Sequence, residues 1–388
     1  MSSVSTIASG ALFAGGAPLK LQFMLRLAMP EHLRVARRAA LFVAVAWLPL
    51  LVLNAVQGHA HVSSFLLDFG SWARLVAAGP LLIAAEAACI FVLGSIARRF
   101  FEMKFVLSSD ERRFLAAIDT TTRWRDAAIV EIAIAVLAFA ISTVAVGVVP
   151  TAEVALWHRV AIGEATLSPA GWWHTLVSLP LLLMLLLGAL WRLVVWTRFL
   201  VLVARLDLVL VPVHPDKAAG IGFVGYSVRG FGLVGAAFGA LVAGTVAEQV
   251  VHHGAKLADF KYLVGSLVVV TVVLFTAPLL AFTPKLLALW RSGTRSYGEL
   301  ANVFGRRFEQ EWFGGKPMRR DDLLDRGDFS AATDLYQVVD RLQDLCMAPV
   351  DLRSVVMLVL ATLLPFVPVV LALLPLDVVV STLVGLLR

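Results

Sequence analysis

Seven apolar stretches, each about 20 residues long, dominate this chain, and that is the length an α-helix needs to cross the roughly 30 Å hydrocarbon core of a bilayer. They lie near 39–57, 74–97, 127–149, 173–195, 229–250, 262–283 and 354–374. In lipid every backbone polar group must be satisfied within the protein, so runs of this kind fold as helices. The expected fold is all-α: a polytopic transmembrane helix bundle of about seven spans. Only 15% of the 388 residues are charged and 60% are apolar, whereas soluble chains carry about 25% charged residues. A soluble globular fold is therefore excluded. The two cysteines, Cys89 and Cys346, are far apart and form no CxxC pair, which argues against a disulfide framework or a structural zinc.

Charge sets the expected orientation. Of the 33 Lys and Arg residues, 27 fall in segments 1–38, 98–126, 198–229 and 285–353, and 4 fall in the alternate segments. Positive residues stay cytoplasmic, so the N-terminus is expected inside and the C-terminus outside. The net charge of +6 is thus a topology signal. There is no basic soluble domain to bind nucleic acid. Trp72, Trp157, Trp172 and Trp173 stand at the expected outer boundaries and Trp124, Trp191, Trp196 and Trp290 at the inner ones, as aromatic belts do.

The chain divides accordingly. Residues 1–38 form a cytoplasmic or interfacial segment in which Leu19–Met29 suits a helix lying in the headgroups. Its basic region is too long for a cleaved signal peptide. Residues 39–284 hold six spans with short loops, and 285–353 form a cytoplasmic helical loop. That loop reads as two helices broken at Gly314-Gly315-Lys316-Pro317, too small to bury a core alone. Residues 354–388 hold the last span and an apolar end, 376–388, that stays at the outer surface or re-enters the membrane.

Three ionisable residues fall inside the spans. Glu86, in Ala84-Ala85-Glu86-Ala87-Ala88, is expected near the bilayer midplane, where an acid is costly unless protonated or paired. It is either a proton- or cation-handling group or a hydrogen-bonded interface acid. Glu131 and Arg192 lie toward the inner ends of the third and fourth spans and pair if those helices touch; otherwise Arg192 snorkels to the headgroups. These three are the candidate intramembrane charges of a pathway. The last helix is broken by Pro365 and Pro368, which free carbonyls near Ala361 and Leu364. Lipid tolerates this only where the backbone faces protein or water. Leu364, Pro365 and Pro368 are therefore candidate pathway-wall residues, the alternative being an ordinary kinked packing helix.

Six histidines, His59, His61, His158, His174, His252 and His253, fall on the outer side. They come from three outer loops or helix ends and could converge as a metal or proton-sensing site, but no pair has the i, i+4 spacing of a helical metal site, so unconverged histidines are expected, with no metal or cofactor. Gly220-Ile221-Gly222-Phe223-Val224-Gly225 matches GxGxxG, but between two spans it lacks the strand that nucleotide binding needs. The preceding His214-Pro215-Asp216 reads as a turn with Asp216 as a cap. Gly235 and Gly239 form a GxxxG face for close packing of a helix or a subunit. No HExxH or GxSxG is present, so no enzymatic activity is expected.

Leu67-Asp68-Phe69 with Arg74, Gly79-Pro80-Leu81-Leu82 and Glu86, His214-Pro215-Asp216-Lys217 with Gly220, and Leu363-Leu364-Pro365-Phe366 with Pro368 and Leu374-Pro375-Leu376 together resemble a family of uncharacterised bacterial multi-pass inner-membrane proteins. The resemblance implies a location but no activity. In outline alone, seven spans with an inner N-terminus and a long loop before the last helix are similar to insect odorant receptor channels. The expected function is a homo-oligomeric ion channel or transporter-like protein in the bilayer. The alternative is a non-transporting sensor or scaffold that binds a partner through its cytoplasmic loops.

Overall fold

The computed structural model describes residues 11–16, 33–148, 155–161, 166–313 and 328–373. The expected interfacial helix at Leu19–Met29, the Gly314–Pro317 break and the apolar end 376–388 lie outside them. Among the described residues, strand pairing is confined to two isolated bridges, Val106 with Leu208 and Arg159 with Leu167. Six helical stretches are long and apolar enough to cross a membrane: Val35–Gln57, Phe69–Glu102, Glu111–Val146, Pro169–Ala204, Gly222–His253 and Leu257–Gln310. A seventh is broken, its halves Leu352–Leu363 and Phe366–Ala372 meeting at 45°. The chain is thus an all-helical polytopic membrane protein of six or seven spans.

The first span is α1 (Val35–Ala46) followed by α2 (Leu48–Gln57), whose first turn holds Pro49. A short helix α3 (His59–Leu66) leads to the second span, which is chiefly α4 (Gly79–Glu102). Helix α5 (Glu111–Arg125) precedes the third span α6 (Ala128–Val148), and α7 (Leu179–Ala204) forms the fourth. The fifth and sixth are α8 (Gly232–His253) and α9 (Lys261–Thr276). The long α10 (Thr283–Phe313) carries the sixth span onward and packs with α11 (Asp328–Gln343). Helices α12 (Leu352–Leu363) and α13 (Phe366–Leu373) are the halves of the last span.

The fifth span is the hub of the bundle: 67% of its apolar window is buried, against 17% for the third, whose Ile129, Ile132 and Val136 face outward. Small residues allow that centrality. A side chain on Gly239 would meet the Thr362 carbonyl at 1.9 Å, and one on Gly235 would meet the Thr362 hydroxyl at 2.7 Å. The GxxxG face therefore seats the last helix of the same chain, as close backbone approach in membranes requires. On another side, Gly244 lets Ala73 of the second span approach to within 2.2 Å of where its own Cβ would stand. The break in the last helix is partly healed: the Leu364 carbonyl freed by Pro368 accepts from Val367 N at 3.1 Å.

The second and fourth spans begin alike, one hundred residues apart. Asp68 and Ser168 each cap a short turn, accepting from Ser71 N and Gly171 N at 2.9 Å. Each turn passes into a π-helical segment, Trp72–Ala78 and His174–Ser178. Each segment then tightens to a regular helix at a proline, Pro80 and Pro180. Trp72 with Trp172, Leu81-Leu82 with Leu181-Leu182, and Arg98 with Arg198 repeat in the same register. A π-turn leaves a carbonyl out of register; in the second copy the Thr175 carbonyl takes the Ser142 hydroxyl at 2.5 Å.

At the opposite, basic end of the bundle the loops interlock. The Asp216 carboxylate accepts from the backbone N–H groups of Ala218, Gly220 and Gly222 at 2.9, 3.0 and 2.8 Å. The glycine-rich run is thus wrapped around the chain's own carboxylate. Lys217 reaches Asp344 at 2.8 Å, and Arg229 bridges Asp351 and Ser354 at 2.8 Å each. Asp351 in turn caps α12 through Ser354 N at 3.1 Å. The start of the last span is thereby fixed to the loop that opens the fifth.

Candidate functional site

Two charged centres lie within the bundle, at different depths. The deeper one joins three spans. Glu86 of α4 receives Arg192 of α7 at 3.0 Å on one carboxylate oxygen and Arg38 of α1 on the other. All three are buried, at 4%, 6% and 4% exposure. Charge-assisted pairs of this kind satisfy a carboxylate that lipid or an apolar core would otherwise penalise. Arg192 therefore does not snorkel. Nor does it pair with Glu131, which stands half-buried in the first turn of α6, where an acid complements the helix dipole. Arg38 was the partner that sequence reasoning missed. The first span begins at Val35 rather than near 39, so this arginine belongs to the span and not to the basic segment before it.

The last helix does not share that centre. Pro365 and Pro368 line a separate apolar crevice of about 340 Å³ with Phe69, Trp72, Ala240 and Val369. Leu364 does not line that crevice and is 64% exposed.

The second centre lies at the end of the bundle opposite the basic loops. A cavity of about 300 Å³ opens there between the second, third, fourth and fifth spans, its polar walls including Asp68, Arg74, His158, Arg159, His174 and Glu248. The loop 155–161 folds down over it. Asp68 Oδ2 accepts from Trp157 Nε1 at 2.9 Å, and Ser168 Oγ donates to the Trp157 carbonyl at 2.7 Å. Gly171 is required here, because a side chain would meet the His158 carbonyl at 2.2 Å.

Of the six outer histidines, two converge. His158 Nε2 lies 3.1 Å from His174 Nδ1, and Trp157 presents its edge or face to both rings. His252 goes instead to Glu248 at 3.3 Å, and His59 and His253 are exposed. His158 is 8% and His174 5% exposed, and His158 Nδ1 and His174 Nε2 find no partner among the described residues. Burial, then the Arg159 guanidinium, push the His158 imidazole down to about 4. It is neutral at pH 7 and can serve as donor or acceptor. Among the described residues no three His, Cys, Asp or Glu side chains gather to hold a metal. The repeated Trp and Pro of the second and fourth spans are the sequence signal that foreshadowed this cavity, since they put Arg74 and His174 in equivalent positions.

The fold and the two charged centres define a class, the polytopic helical membrane protein with a polar cavity at one end. Compared with protein-family models, with curated proteins and with solved structures, the chain matches none.

Proposed function

We propose that this protein is a transporter-like membrane protein, channel or carrier, that admits a small ion through the cavity at its histidine-bearing end. The observation that carries this reading is the placement of two arginines, two acids and two imidazoles around about 300 Å³ of space in an otherwise apolar bundle. Ionisable groups gathered at a cavity within a helical membrane bundle are by default a functional site. The adjoining apolar crevice against the proline-broken helix supports it, because irregular backbone at membrane depth is tolerated beside a cavity. In this reading the basic end faces the cytoplasm of a bacterial inner membrane and the protein works as a homo-oligomer. The Arg38–Glu86–Arg192 cluster acts as a bolt between spans. Both of its carboxylate oxygens are occupied, which disfavours Glu86 as a carried or carrying charge.

The test is reconstitution. Purified protein in vesicles should pass proton, sodium, potassium or an anion above the protein-free background. The competing reading, a sensor or scaffold, is favoured by the locked loops of the basic end and by exposed Leu300, Val303 and Phe313 on α10. Background flux for every ion, from protein shown to be folded, would leave that reading standing and remove the transport one.

A further inference from the structure

The cavity has unequal hydrogen-bonding capacity, and the inequality identifies its ligand. Its two acids are already engaged. Asp68 accepts from Ser71 N, the Ser71 hydroxyl and Trp157 Nε1 at 2.9, 2.8 and 2.9 Å. Glu248 accepts from Phe69 N at 3.1 Å and meets His252. The donors are not. Arg74 stands 3.8 Å from Asp68, beyond hydrogen-bond reach, and its Nε finds no acceptor among the described residues.

The imidazoles add a donor of fixed kind. Two neutral histidines joined Nε2 to Nδ1 share one N–H between them. Whichever ring donates it, one outer nitrogen of the pair, His158 Nδ1 or His174 Nε2, carries an N–H and the other a lone pair. Both outer nitrogens are buried and have no partner among the described residues, a state that costs free energy in the absence of a ligand. The two π-helical turns put Arg74 and His174 at equivalent places in the repeated second and fourth spans, and both side chains line the same cavity. Binding sites at the interface of internal repeats recur in transporters.

We propose that this cavity binds a small oxyanion, carboxylate or inorganic, held by the Arg74 guanidinium and by the N–H that the His158–His174 pair presents. The proposal rests on the reading of this cavity as a ligand site and narrows it to a chemical class. The guanidinium fork matches two oxygens of such a group, and the imidazole pair can accept from a third, protonated oxygen. Sodium or potassium would meet a guanidinium there, beside two carboxylates that already accept hydrogen bonds.

The full-length protein in detergent is titrated calorimetrically with acetate, sulfate and phosphate at constant ionic strength, with chloride as control. At least one oxyanion should bind saturably, and Arg74→Gln should weaken it at least tenfold, with Arg74→Lys intermediate. His59→Gln, away from the cavity, should leave it unchanged. Because cavity variants can misfold, the wild-type protein carries a second readout. With ¹⁵N-labelled histidine, the oxyanion should shift two imidazole resonances that titrate together. Competition by phosphatidylglycerol in nanodiscs would make a lipid headgroup the oxyanion's source, and lack of competition a free solute. No saturable binding by the wild type, or binding that Arg74→Gln leaves intact, overturns the proposal. Binding without flux would keep the site and remove the transport reading; flux without oxyanion binding would do the reverse.

Discussion

Arg192 meets Glu86 at 3.0 Å across the fourth and second spans, and Arg38 of the first span takes the other carboxylate oxygen. Three spans are thereby tied by a buried ionic cluster. Removing the acid takes the shared carboxylate away from both guanidiniums. Breaking one partner of a buried ion pair costs about 3–5 kcal/mol. Glu86→Gln should therefore lower the thermal unfolding temperature in detergent steeply. Replacing the whole cluster, Arg38→Met with Glu86→Leu and Arg192→Met, should recover most of that loss. A triple variant as unstable as the single one would show that the charges do more than hold the helices together.

The seat of the last helix is testable at single glycines. Gly239→Ala pushes a methyl group into the Thr362 carbonyl, which cannot rotate away, and overpacking of this kind costs about 1–3 kcal/mol. Gly235→Ala meets side-chain atoms, the Thr362 hydroxyl at 2.7 Å and Leu358 Cδ1 at 2.9 Å, which give more easily than a backbone carbonyl, so its cost should be smaller. Gly232→Ala has open space and should be neutral or mildly stabilising. The order Gly239, Gly235, Gly232 in thermal unfolding is the expected outcome.

Acidification should loosen the cavity. The His158 imidazole is at about 4 in the folded protein against 6.5 for a free one. Between those values the unfolded chain binds a proton that the folded chain refuses, so stability is full above about pH 6.5 and declines as pH falls toward 4. The linked loss is on the order of 3 kcal/mol. Unfolding temperatures from pH 7.5 to 4.5 should fall for the wild type and fall less for His158→Gln.

Asp216 tests the reading of the glycine-rich run. Burial works to raise its carboxyl, but the N–H groups of Ala218, Gly220 and Gly222, with His214, outweigh it and hold the group below the usual carboxylate range. Asp216→Ala strips three backbone donors of their acceptor. The loss should be about 1–2 kcal/mol, as for a helix cap, with faster proteolysis within 214–222. The wild-type loop, already filled by its own carboxylate, should show no nucleotide binding.

Much of this architecture was legible in the residues. Apolar runs gave the spans because twenty residues of helix and a bilayer core have the same length. Gly235 and Gly239 gave a close-packing face because only glycine leaves room for a backbone. What was not legible is which helices meet. Periodicity places Glu86 on a face but does not name a neighbour 48 residues earlier or 106 later. Arg38 was further disguised by lying among the basic residues ahead of the first apolar run. The π-turns left no compositional mark, since a shift of one residue in backbone bonding does not change hydropathy. Convergence of His158 with His174 depended on a loop held down by Asp68, Ser168 and Gly171, each unremarkable on its own.

The central claim is that a small ion enters through the histidine-end cavity, and Thr245 allows a direct test. It lines that cavity, is exposed, and among the described residues its hydroxyl bonds to the Leu241 carbonyl at 3.2 Å, so Thr245→Trp should fill the space without disturbing the bundle. The measurement is oxyanion influx into vesicles containing wild-type or Thr245→Trp protein, with equal amounts of folded protein confirmed by thermal unfolding. Influx above the protein-free background in the wild type, reduced to background by the tryptophan, is the predicted result. Equal influx in both proteins, or a wild type no faster than empty vesicles, would contradict it.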